Sequence, residues 1–201
     1  MNTQELRRRI LNGCKAVKDA EQRFTEIDSK FGDADHGLTM SKIAGAITEA
    51  LQECGDNETI HGMMTKAADA VGELNGGSAV PLWNSWLAGM AEAAPDESSI
   101  DVSRLSEMFA AGLEEFDFMS GAEVGDKTIM DALKPATEAA GQADTEENLF
   151  AQAAEAAAQG AENTKNFTAK FGRAKSYGEK TLGTEDAGAL SMAVFFKGMA
   201  E

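Results

Sequence analysis

No stretch of this sequence reaches the roughly 18 consecutive apolar residues that a membrane-spanning helix needs, and no long apolar run follows its first residues, Met1 to Arg9. Neither a membrane span nor a secretory leader is expected, and the expected location is the cytoplasm. Basic residues are scarce: 18 Lys and Arg stand against 34 Asp and Glu, a formal net charge of −16. Such a chain is poorly suited to nucleic acid or an anionic membrane surface, and a polyanionic ligand would need positive charge supplied locally. Only two cysteines occur, Cys14 and Cys54, each alone in a helical pattern with no CxxC partner. They read as thiols of a reducing compartment rather than a disulfide or a metal site. Alternating strand-like runs are also scarce. Val80-Pro81-Leu82-Trp83 looks briefly extended, but Pro81 suits the first turn of a helix that carries Trp83, Trp86, Leu87 and Met90.

What the chain does have is helical periodicity. Leu6, Ile10, Cys14 and Val17, then Phe24 and Ile27, share one spacing; Ala67, Ala70, Val71 and Leu74 repeat it, as do Leu105, Met108, Phe109, Leu113 and Phe116. Eight helices are predicted, at 4–27, 38–54, 58–75, 81–94, 102–118, 128–141, 146–165 and 187–200. The expected fold is all-α, an antiparallel up-and-down bundle forming a single domain over 1–201. Glycine concentrates in alternate connections: Gly32 to Gly37, Gly76-Gly77, Gly121 to Gly125, and Gly172 to Gly188. In an up-and-down bundle these four connections meet at one end, whereas Pro95 to Ser99 and Gln142 to Thr145 are ordinary polar turns at the other.

Chemistry gathers in the same loops. Asp28-Ser29-Lys30-Phe31-Gly32-Asp33-Ala34-Asp35-His36-Gly37 holds three carboxylates and a histidine in ten residues. Carboxylates this close repel, so either water screens them or a hard, oxygen-seeking cation such as Mg²⁺ or Ca²⁺ neutralises them. An EF-hand does not fit, because Asp33-Ala34-Asp35-His36-Gly37 has Gly at the third ligand position and no closing Glu. Glycine turns ahead of helices can present backbone N–H groups to phosphate at Gly76 to Pro81, Gly125 to Thr128 and Asp186 to Gly188. Gly121 to Thr128 is not a Walker A loop, since it lacks the GKT ending and a preceding strand. Lys165, Lys170, Arg173, Lys175 and Lys180 lie in the long last connection, which reads either as a solvated loop or as a basic lid. These parts suit phosphoryl transfer, with Asp28, Asp33 and Asp35 on metal, a basic side chain on the transferring group, and His36 bonding phosphate or fixing the loop.

Asp28 with Gly32-Asp33-Ala34-Asp35-His36-Gly37, Gly76-Gly77 before Pro81, Gly125-Asp126-Lys127-Thr128, Gly172-Arg173-Ala174, Gly178-Glu179 and Asp186-Ala187-Gly188-Ala189 follow one another in a familiar order. In these motifs, which span residues 28 to 189, the chain resembles the nucleotide-binding L subunit of dihydroxyacetone kinases. The resemblance implies an eight-helix barrel whose loop end holds ADP or ATP through two Mg²⁺ ions on Asp28, Asp33 and Asp35. It maps nucleotide contacts to His36, Gly37, Leu38, Thr39, Ser78, Ala79, Thr128, Arg173, Asp186, Ala187 and Gly188, with Arg173 and His36 as catalytic candidates. It also implies a separate sugar-binding K subunit as partner and a phosphotransferase-system phosphocarrier where ADP is kept and recharged; a homodimer is a further arrangement that the sequence leaves open. Three positions depart from the usual pattern: Ser78-Ala79-Val80 replaces Ala-Ser-Gly, Thr39 replaces asparagine, and Ala187 replaces proline. They bear on the nucleotide pose and on whether the sugar is dihydroxyacetone or another three- or four-carbon ketose. Two other readings stand beside the kinase subunit: a regulatory module that holds Mg-ADP without turnover, and an acidic structural protein with a solvated Asp loop.

Overall fold

Leu6, Ile10, Cys14 and Val17 all become buried on one stripe of α1 (Thr3–Asp19), whose first turn is capped by Asn2 accepting the Glu5 N–H at 2.8 Å. The computed structural model describes residues 1–201, and its regular elements are all helical. The predicted 4–27 helix is two helices. Only Ala20 continues the apolar stripe between Val17 and Phe24, so little anchors that turn, and the backbone leaves helical geometry there (φ −97°, ψ 5°). The break frees α2 (Glu21–Asp28) to lie against the start of the next helix and the last one, and to end on the first carboxylate of the Asp loop.

The other seven predicted helices are present as α3 (His36–Gln52), α4 (Ile60–Gly72), α5 (Ala79–Ala93), α6 (Val102–Ser120), α7 (Met130–Ala140), α8 (Glu146–Asn163) and α9 (Ala187–Ala200). Thr59, Asp101, Thr145 and Asp186 cap α4, α6, α8 and α9 through side-chain oxygens. The long last connection is itself partly helical, with 3-10 turns at Thr164–Asn166 and Arg173–Thr181. Around the molecule, α1, α3, α4, α5, α6, α7, α8 and α9 pack in that order, and α9 closes on α1. The result is an eight-membered barrel with α2 outside the ring.

Aromatic side chains fill the barrel. Trp83 and Trp86 from α5, Phe109 from α6, Phe150 from α8, and Phe195 and Phe196 from α9 are buried against one another, several edge to face. The closing seam depends on small residues: a Cβ on Gly198 would stand 2.6 Å from Asn12 O and 2.7 Å from Gly13 Cα. Gly198→Val is therefore expected to cost about 2–3 kcal/mol, because neither backbone can give way without reopening the ring. Urea unfolding measures this, and an unchanged midpoint would mean that the seam is not tight. At one end the turns are stitched by an Asn2–Ser99 bridge and by Ile60 N–H donating to Glu97 O at 2.8 Å. The opposite end carries the four glycine connections.

Candidate functional site

Those four connections enclose a cavity of about 650 Å³. One wall is the Asp loop. Asp28 Oδ2 accepts the N–H groups of Asp35 (3.1 Å) and His36 (3.3 Å), tying the end of α2 to the start of α3. Between Asp33 and Asp35 the chain turns through Ala34 at φ 61°, a left-handed conformation costly for a side-chain-bearing residue. This turn aims the two carboxylates back toward Asp28, so that one oxygen from each of the three lies within 4.8 Å of the others. Burial and the charges of Asp33 and Asp28 raise the Asp35 pKa above the usual carboxylate range. Three all-oxygen, mutually repelling donors fit a hard divalent cation.

The α5 turn adjoins that wall, since a Cβ on Gly77 would stand 4.0 Å from Asp35 Oδ2. Ser78 and Ala79 line the cavity, and their backbone N–H groups have no partner in the chain. Val80 is buried with its side chain against Gly76, so the turn closes without exposing it.

The α7 and α9 starts differ from the sequence expectation of open amides. Asp131 takes the N–H groups of Gly125 (2.6 Å) and Thr128 (2.7 Å), and Asp186 takes that of Ala189 (2.8 Å). The signal for the first was present in Thr128-x-x-Asp131, a capping arrangement that the comparison with Walker A obscured. Thr128, Asp186, Ala187 and Gly188 still line the cavity, as do Asp28, Asp33, Asp35, His36 and Thr39. Gly37 and Leu38 do not line it: Gly37 is buried against the backbone of α2 near Glu21 and Thr25, and Leu38 is exposed at the rim.

His36 Nε2 lies 3.1 Å from Ser191 Oγ. Ser191 donates to Gly188 O at 2.9 Å, which leaves its oxygen to accept the imidazole N–H. Burial lowers the His36 pKa despite the nearby Asp28, which favours the neutral ring, and the bond to Ser191 links α3 to α9.

Of the five cations predicted in the last connection, Arg173 alone lines the cavity, with its guanidinium 2.6 Å from Asp33 Oδ2. Lys165 and Lys170 are drawn away to Glu162 and Asp126, while Lys175 and Lys180 are exposed outside the lining. Gly172 (φ 61°, ψ −160°) and Gly178 (φ 55°, ψ −131°) turn the segment through conformations open essentially to glycine. Tyr177 then meets Phe31 of the Asp loop edge-on at 5.3 Å. The cation the sequence reading overlooked is Lys127, a buried lining residue whose pKa burial pushes down, with Asp186 and Asp131 opposing.

Burial also pushes Asp186 up to about 7, with Asp131 adding to the shift and the Ala189 N–H and Lys127 opposing it. The folded protein thus holds a proton there that the unfolded chain has already released. This contribution to stability is present at low pH and is lost as pH rises through about 7. Relative to Asp186→Asn, which keeps a capping oxygen, the wild type is expected to lose on the order of 1 kcal/mol between about pH 5 and 8. Parallel pH profiles in chemical denaturation would refute this.

Comparison with known proteins gives the family and the fold. A DAK2 domain model matches residues 30–201. The chain is 33% identical over 186 residues to the L-erythrulose 1-kinase of Mycolicibacterium smegmatis, covering 91% of this chain and 33% of that protein. To the ADP-binding subunit DhaL of the PEP-dependent dihydroxyacetone kinase of Escherichia coli it is 30% identical over 196 residues, covering 94% and 92%. The dihydroxyacetone kinase of C. freundii, solved with AMP-PNP and Mg²⁺, has the same fold over the whole of this chain and 34% of its own, with a TM-score of 0.74 at 24% identity. The helical barrel with its loop-end cavity defines a DAK2-type module, and the chain belongs to the DAK2 domain family. It spans about a third of the length of the erythrulose kinases it matches, and nearly all of the DhaL subunit.

Proposed function

We propose that the chain acts as one nucleotide-binding domain over 1–201, the phosphoryl-transferring part of a kinase for short ketoses of three or four carbons. The observation that carries this reading is the meeting of the three-carboxylate cluster, Arg173 and the free amides of Ser78 and Ala79 at one wall of the cavity. Asp28, Asp33 and Asp35 would hold Mg²⁺, two ions with a nucleotide, and the bound metal would neutralise phosphate oxygens. The amides of Ser78 and Ala79 receive the phosphate chain at a helix start. Arg173 stands at the Asp33 side, where charge builds on the transferred group. His36, held by Ser191, orients the Asp loop. Thr39, Thr128 and the Asp186 to Gly188 turn form the remaining lining for ADP or ATP.

The sugar belongs on a partner. Every large hydrophobic residue that is substantially exposed, namely Leu38, Phe118, Met119, Val124, Phe171, Tyr177 and Leu182, lies on the four connections or the helix ends beside them. An apolar rim around a charged cavity suits docking against a K-type subunit. The names of the relatives support dihydroxyacetone and erythrulose as candidate sugars. The buried free thiols Cys14 and Cys54 suit the cytoplasm, and no helix is long and apolar enough to cross a membrane.

The test mixes the chain with a K-type subunit, dihydroxyacetone or erythrulose, Mg²⁺, and either ATP or ADP with a phosphorylated phosphocarrier. Sugar phosphate is expected with one donor. Bound nucleotide without product from either donor would overturn the kinase reading in favour of a Mg-ADP-binding module.

A further inference from the structure

We propose that Lys127 is a positioning residue, a clamp that ties both ends of the 164–184 segment together and so sets where Arg173 stands over the cavity. Its Nζ donates to Thr164 O at 2.6 Å, where the segment leaves α8, and to Thr184 O, where it returns. Two further ties close the same neck: Gly183 N–H to Lys165 O at 2.7 Å, and Asp186 N–H to Thr164 Oγ1 at 2.9 Å. The segment is thus a lid with a fastened neck and an exposed tip. The tip meets the Asp loop through Arg173 on Asp33 and Tyr177 on Phe31.

Two features of Lys127 support a dedicated role. It is only 4% exposed, and burying an ammonium is costly unless carbonyls or carboxylates surround it. It also holds φ 62°, where glycine would be free of strain, so the site keeps a lysine against its own backbone preference. A clamp accounts for both, because a glycine would relax the turn and release the lid.

The meaning for turnover rests on the kinase reading, but the clamp itself is tested without turnover. The lid carries tryptic sites at Lys170, Arg173, Lys175 and Lys180, all exposed. In nucleotide-free protein, Lys127→Met is expected to raise the rate of lid cleavage, located by mass mapping, at least roughly tenfold. Lys127→Gly should do the same despite its relaxed backbone, and Lys127→Gln, which keeps an uncharged, shorter donor group, should fall between. In the coupled sugar-kinase assay, Lys127→Met should lower kcat more than it weakens Mg-ADP binding, since it displaces Arg173 rather than a metal ligand. Unchanged lid cleavage in Lys127→Met and Lys127→Gly overturns the clamp and leaves the kinase reading standing. Loss of helicity in all three variants also overturns it, by making Lys127 a support of the barrel. A wild type that never turns over, with lid cleavage raised in the variants, refutes the kinase reading and keeps the clamp.

Discussion

Asp33→Ala and Asp35→Ala proteins will lose Mg²⁺-dependent ADP binding by more than about a hundredfold while keeping the helicity of the wild type, because even outer-shell partners of a bound metal are worth about 10- to 100-fold. Both residues lie at the open side of the cavity, and neither is part of the core. Without a cation, Asp35 is a liability: burial and its neighbours Asp33 and Asp28 all raise its pKa. Removing it should therefore leave the metal-free protein as stable as the wild type or slightly more so, which a purely structural carboxylate would not do. Asp28 is different. Its Oδ2 holds the amides of Asp35 and His36, so Asp28→Ala should lose both binding and the loop geometry. Calorimetric titration of ADP with and without Mg²⁺ measures the effect. Unchanged Mg-ADP affinity in either exposed-Asp variant would dismiss the cluster as a metal site.

The parts legible in the sequence were those that depend on local pattern. The Leu6, Ile10, Cys14, Val17 stripe marked its helix because burial follows a 3.6-residue period. The convergence of four loops followed from parity alone, since helices packed in sequence order must return to the same end every second turn. What was not legible depends on contacts distant in sequence. Nothing local says that Lys165 and Lys170 pair with Glu162 and Asp126 while Arg173 reaches Asp33, 140 positions earlier. Lys127 was hidden because its partners are backbone carbonyls of Thr164 and Thr184, which carry no side-chain signature. The predicted 146–165 helix gave no sign of a close approach, yet a Cβ on Gly160 would stand 2.0 Å from Asp131 O. There the absence of a side chain lets α8 approach the helix start whose amides Asp131 caps.

Arg173→Met is expected to lower sugar-phosphate formation by about 10²- to 10³-fold while changing Mg-ADP affinity less than about tenfold, the loss typical of removing one preorganised donor from developing transition-state charge. The side chain is 71% exposed and holds no part of the barrel, so the fold should be indifferent to its loss. Its importance comes from isolation. Lys127, the other lining cation, already spends its ammonium on two carbonyls, whereas Arg173 is exposed and paired only with Asp33 at the cavity wall. Arg173→Lys should recover part of the rate, since a point charge remains but the planar fork that can grip two oxygens does not. Lys170→Met is the matched control: it removes a lid cation that pairs with Asp126 and should cost little turnover. If Arg173→Met and Lys170→Met behave alike, the lid acts through its overall charge. If Arg173→Met weakens nucleotide binding as much as it slows turnover, the guanidinium holds the ground state and gives the transition state no extra help.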